Sequence, residues 1–125
     1  MNSVPNPFSD VRATAEKLVN NRHGITLTRK GDDVSLMRGY AVGGASHPTL
    51  RLSAESSHEA LVEAVARYIQ QTPTNVEYFG AWTEGGVIYV DCVDIVEKHV
   101  EAILLGHERG EAAIYRFADN SCEII

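Results

Sequence analysis

Cys92 and His99 are the first pair in this chain to test for chemistry. A thiolate nucleophile needs a lowered pKa and a nearby base, and a thiol ahead of a helix carrying a histidine could have both. Strand alternation, however, puts Cys92 on the apolar side with Phe79 and Val90, where buried cysteine is a common core filler. Packing is the expectation. The histidines His23, His47, His58, His99 and His107 form no HxxxH or HExxH pair, and there is no CxxC. His99 and His107 lie roughly 12 Å apart along a helix axis, too far to share one ion. Ser46 beside His47 lacks a GxSxG elbow, and neighbours on an extended chain point apart. The glycine-rich "GYAVGG" has neither the lysine and hydroxyl of a phosphate loop nor GxGxxG spacing, so a bend or bulge explains it better. Among the carboxylates, Asp91 and Asp94 flank a strand end and Glu97 and Glu101 follow. A glycosidase-like pair fits that spacing, but Asp94 suits a helix N-cap and the glutamates a solvated face. No catalytic residue, cofactor or metal is therefore assigned.

What remains is aromatic. In "NVEYFGAWTEGGVIYVDCVD" a turn centred on Gly85-Gly86, both able to take positive φ, sets Trp82 opposite Tyr89, Phe79 opposite Cys92 and Gly80 opposite Asp91. One face then holds Phe79, Ala81, Thr83, Ile88, Val90 and Cys92. The other holds Tyr78, Gly80, Trp82, Tyr89 and Asp91. Tyr78, Trp82, Tyr89 and Asp91 form the candidate interaction face, because rigid aromatics concentrate binding energy. The competing reading is that a helix covers this face.

The elements around the hairpin follow from periodicity. Residues 1–8 read as a flexible arm, and residues 9–125 as a single domain. "SDVRATAEKLVNNRHG" is helical, capped by Ser9, with Val11, Ala15, Leu18 and Val19 on one face and Gly24 as stop. "ITLTR", "VSLMRGYAVGG" and "TLRLS" are strand candidates, with Ile25, Leu27, Leu50 and Leu52 inward. "SAESSHEALVEAVARYIQQTP" is a helix with a Ser56–Glu59 capping box, a buried stripe of Leu61, Val65, Tyr68 and Ile69, and Pro73 as terminator. "DIVEKHVEAILLGHERGE" is the third, capped by Asp94, with Val96, Val100, Ile103 and His107 on its inner face and Gly110 as stop. "AAIYRFA" and "SCEII" close the chain as a strand pair. This order predicts an α+β fold, a mainly antiparallel sheet with about three helices packed on it in two layers.

Composition narrows the partners. A chain of 125 residues is one domain's worth, and 44% hydrophobic with 22% charged residues is ordinary for a globular protein. The formal charge of −6 with scattered basic residues argues against a nucleic-acid backbone as partner. No apolar run approaches a membrane span of about 20 residues. The start "MNSVPNPFSD" lacks the basic and apolar regions of a signal peptide, so a reduced cytoplasmic protein is expected, with Cys92 and Cys122 as free thiols.

The segments "GYAVGG", "GAWTEGGVIYVDCVDIVEKHVEAILLGHERGEAAIYRF" and the acidic, isoleucine-ending tail resemble a group of small uncharacterised proteins of actinobacterial phages, prophages and related mobile elements. Their pattern G-x-W-x-x-x-G-x-x-Y-x-D-V falls here on Gly80, Trp82, Gly86, Tyr89 and Asp91. It continues through Glu108, Arg109 and Gly110 to Ala113, Ile114 and Tyr115, and Cys92 stands where the pattern has an aliphatic residue. The resemblance implies a source and no catalytic residues. The leading reading is a non-enzymatic phage- or mobile-element-related accessory protein acting by protein–protein binding, its partner another protein or a second copy in a homodimer. Two alternatives stand beside it. One is a small hydrolase-like enzyme using Cys92 or Asp91 with a helix histidine. The other is a nucleic-acid accessory protein using Arg29, Lys30, Arg38 and Arg51, which requires those cations to share a face.

Overall fold

A computed structural model describes residues 7–34, 38–45 and 47–125. The first six residues of the expected arm, residues 35–37 of the second strand candidate and Ser46 lie outside the described residues. In chain order the elements are α1 (Pro7–Asn20), β1 (Ile25–Thr28), β2 (Tyr40–Val42), β3 (Leu50–Ser53), α2 (His58–Gln71), β4 (Tyr78–Glu84), β5 (Val87–Val96), α3 (His99–Glu108), β6 (Ala113–Arg116) and β7 (Ser121–Ile124). The fold is α+β, with seven antiparallel strands in the order β1-β4-β5-β2-β6-β7 and β3 also paired to β5.

The β4–β5 hairpin has the register read from the sequence. Trp82 pairs with Tyr89, Phe79 with Cys92 and Gly80 with Asp91. Gly85 and Gly86 take φ of 58° and 77°, the left-handed values that a type I′ turn needs and that side chains disfavour. β5 is the spine of the sheet. β2 and β3 lie along it in sequence, but between Val42↔Asp94 and Leu50↔Val90 their side takes eight steps where β5 takes four. The surplus residues loop out, which is the structural use of "GYAVGG": it breaks one long partner strand in two.

The three described helices pack on one face of this sheet. Ile88, Val90 and Cys92 of β5 join Leu18, Leu27, Leu61, Val65, Ile69 and Phe79 in the core beneath α1 and α2. Further along the same side, Val96 meets Ala102, Ile103 and Leu105 of α3, with Val42 and Ile114. Val93 and Ile95 point the other way, into a cluster with Val34, Ala41, Phe117 and the half-buried Tyr78 and Tyr115. On that side the sheet curls. The Tyr115 hydroxyl of β6 comes within 3.8 Å of the Cβ position at Gly24, just before β1, although β4, β5 and β2 separate the two strands. The helix-free face is therefore concave.

Three helix starts differ from expectation. α1 begins at Pro7, which suits the first helical position because its missing N–H has no partner to lose there, so Ser9 falls inside the helix. α2 is capped by Ser57, whose hydroxyl accepts the Ala60 N–H at 3.2 Å, one residue after the expected Ser56. α3 starts at His99, not after Asp94. The β-branched run through Val93, Ile95 and Val96 stays in β5 because β2 offers it a partner strand. Its inner face is Ala102 and Gly106 with Ile103 and Leu105 beside them, whereas Val100 is 67% exposed and His107 lies in solvent. Gly106 sets that phase, since Ile114 Cγ2 approaches to 3.2 Å of where its Cβ would stand.

Candidate binding pocket on the concave face

Alternation along three paired strands builds the concave face in rows. Trp82, Tyr89 and Arg51 occupy successive register positions on β4, β5 and β3, and form the first row. Thr26, Gly80 and Asp91 form the second, and Thr28, Tyr78 and Val93 the third. In the first row the Trp82 and Tyr89 rings stack with centroids 4.5 Å apart and planes 19° from parallel, while Arg51 Cζ lies 5.8 Å from the Tyr89 centroid. The second row is hollow at its centre. A Cβ on Gly80 would stand 3.3 Å from Val93 Cγ1, so glycine leaves the floor open.

Above this floor lies a cavity of about 370 Å³. The Trp82–Tyr89 stack closes one end, and Ala113, Tyr115 and Cys122 of β6 and β7 close the other. Gly43, Thr49 and Glu111 wall its side. The loop-out between β2 and β3 brings Thr49 over Asp91, and the Thr49 hydroxyl donates to Asp91 Oδ1. The Trp82 indole of the neighbouring row also favours the charged form of that carboxylate. Gly43 lets a second carboxylate approach: a Cβ there would collide with Glu111 Oε1 and stand 3.0 Å from Asp91 Oδ2.

Asp91 is only 8% exposed. Burial pushes its carboxyl above the usual carboxylate range, against the Thr49 hydrogen bond, the nearby Trp82 indole and the charge of Arg51. Glu111 is also pushed up, first by burial and then by the charge of Asp91, with Arg109 opposing. Arg109 is engaged elsewhere, donating to the Gly43 carbonyl at 3.1 Å and to Asp94 at 2.5 Å. Among the described residues neither Asp91 nor Glu111 is in an ion pair.

The structure thus gathers three of the four residues expected on the interaction face: Trp82, Tyr89 and Asp91. Tyr78 lies two rows away against Val34, Ala41, Val93 and Phe117. Glu111, Thr49, Gly43 and Arg51 complete the pocket without having been assigned to it. Arg51 was legible, since its alternation with Leu50 and Leu52 turns it to the helix-free face. Glu111 and Thr49 sit in loops whose course periodicity does not set.

The other candidate chemistry is not assembled in this way. Cys92 is fully buried on the helix side, 3.5 Å from the Tyr68 hydroxyl, and burial pushes its thiol up, away from thiolate. The His99 ring lies tilted beside Tyr40, with centroids 5.1 Å apart, and pairs with Glu123 at 2.5 Å. The basic residues of the first strands diverge. Arg29 turns to the end of α2, donating to the carbonyls of Val76 at 2.9 Å and Pro73 at 2.7 Å, while Arg51 lies on the concave face. No described helix is long and apolar enough to cross a membrane. In comparisons with protein-family models, curated proteins and solved structures, none matches this chain.

Proposed function

We propose that this protein is a non-enzymatic binding module that docks another protein on its concave face. The observation that carries the reading is the stacked Trp82–Tyr89 pair on the rim of a cavity that no described helix covers. Rigid aromatics of large area beside a few placed polar groups are the usual anchors of such interfaces. The buried Cys92 thiol and the His99–Glu123 pair weigh against the Cys92–His99 couple of the hydrolase reading. The resemblance to small proteins of actinobacterial phages and mobile elements bears on the source of the chain and not on its mode of action, which the aromatic face alone supports.

The test is affinity capture from the native host with three forms of the chain: wild type, Trp82→Ala, and Leu104→Ser on the far side of the molecule. Trp82→Ala is expected to lose the partner by about 2 kcal/mol or more in affinity, while Leu104→Ser retains it. Equal capture by wild type and Trp82→Ala would contradict the reading.

A further inference from the structure

The docking face carries a charge pattern that selects its occupant. The cavity lining holds three carboxylates, Glu84, Asp91 and Glu111, against one guanidinium, Arg51. Arg109, the nearest other cation, is committed to backbone carbonyls and Asp94. A buried carboxylate beside a half-buried one, with no ion pair to either, is costly to hold ionised, because burial removes water and each charge repels the other. A cation entering between them relieves both costs. Adjoining them is the Trp82–Tyr89 stack, where Arg51 already lies over Tyr89; a second planar cation has the outer side of the Trp82 ring to rest on.

We propose that the cavity takes the guanidinium of an arginine side chain from a partner protein, held by the Asp91–Glu111 carboxylates against the Trp82–Tyr89 stack. This rests on the reading that the concave face docks a protein. Arginine fits better than lysine for two reasons. Its planar fork can reach carboxylates on two different segments at once, and it stacks on rings where an ammonium does not. The cavity of about 370 Å³ has room for an inserted arginine side chain. The formal charge of −6 on the whole chain favours approach by a basic surface.

The experiment titrates the full chain with N-acetyl-Gly-Arg-Gly-amide and with its lysine and citrulline counterparts. Trp82 emission and the amide resonances of Thr49, Asp91 and Glu111 report the pocket. A saturable response to the arginine peptide is expected, with citrulline, which keeps the shape without the charge, at least about tenfold weaker, and lysine weaker than arginine. Asp91→Asn and Glu111→Gln should each remove the response. If Asp91→Asn fails to fold, Glu111→Gln and the citrulline comparison still decide. Equal binding of citrulline, tighter binding of lysine, or no saturable response to arginine would overturn the assignment. Acrylamide quenching of Trp82 in the free chain separates the two levels. A quenchable Trp82 without an arginine response removes the occupant and leaves the docking face; a shielded Trp82 removes both.

Discussion

Asp91, in the proposed docking pocket, is a residue held at a cost to stability. Its carboxyl and that of Glu111 titrate above the ordinary range in the folded chain. Between an unfolded value of about 4 and those raised folded values, the folded chain keeps protons that the unfolded chain has released. Their contribution to stability is therefore fully present below the unfolded pKa and is lost as pH rises through the folded one. Asp91→Asn removes one such titration. Denaturant unfolding across pH should show the variant gaining on wild type from acid to neutral pH; a difference independent of pH would contradict the assignment. Cys92 makes the opposite case, a residue whose surroundings leave only a packing role. Native protein should react with one thiol reagent equivalent at the exposed Cys122 and unfolded protein with two. Cys92→Ala should cost about 1–3 kcal/mol, read by unfolding.

At the level of elements, the hairpin was legible, and so was the third helix except for its start and the phase of its inner face. Gly85-Gly86 leaves one favourable turn, and a two-residue turn sets every pair beyond it. The third helix misled because Asp94 and Glu97 satisfy a capping pattern locally, while β2 pairs with Ile95 and Val96 from far away in sequence. Local patterns report local partners only. The corrected phase of α3 has a direct test. Val100→Lys should change stability by no more than about 0.5 kcal/mol, whereas Ala102→Lys, at a fully buried position, should unfold the chain. Arg29 carries a second lesson, since a basic pair beside a strand resembled a surface patch. Instead Arg29 holds the end of α2 through Val76, Thr72 and Pro73 and stacks over Phe79. Arg29→Ala should lower stability by about 2 kcal/mol, and Arg29→Lys should not restore it, because an ammonium lacks the fork.

At the scale of the fold, the decisive feature is the side of the sheet that no described helix covers. A small α+β domain has one apolar sheet face to cover, and here α1, α2 and α3 all cover the same one. The face read from Tyr78, Trp82, Tyr89 and Asp91 is then neither core nor flat surface, but the inside of a curl closed partly by β6 and β7. Alternation located the face; the curl, and with it Glu111, depends on how β6 folds back towards β1. Trp82 is the only tryptophan, so its emission reports on this face alone. Acrylamide quenching of the free chain, at concentrations too low for self-association, tests the central claim most directly. Red-shifted, readily quenched emission is expected from an open concave face, and blue-shifted emission that resists quenching would mean the face is already covered.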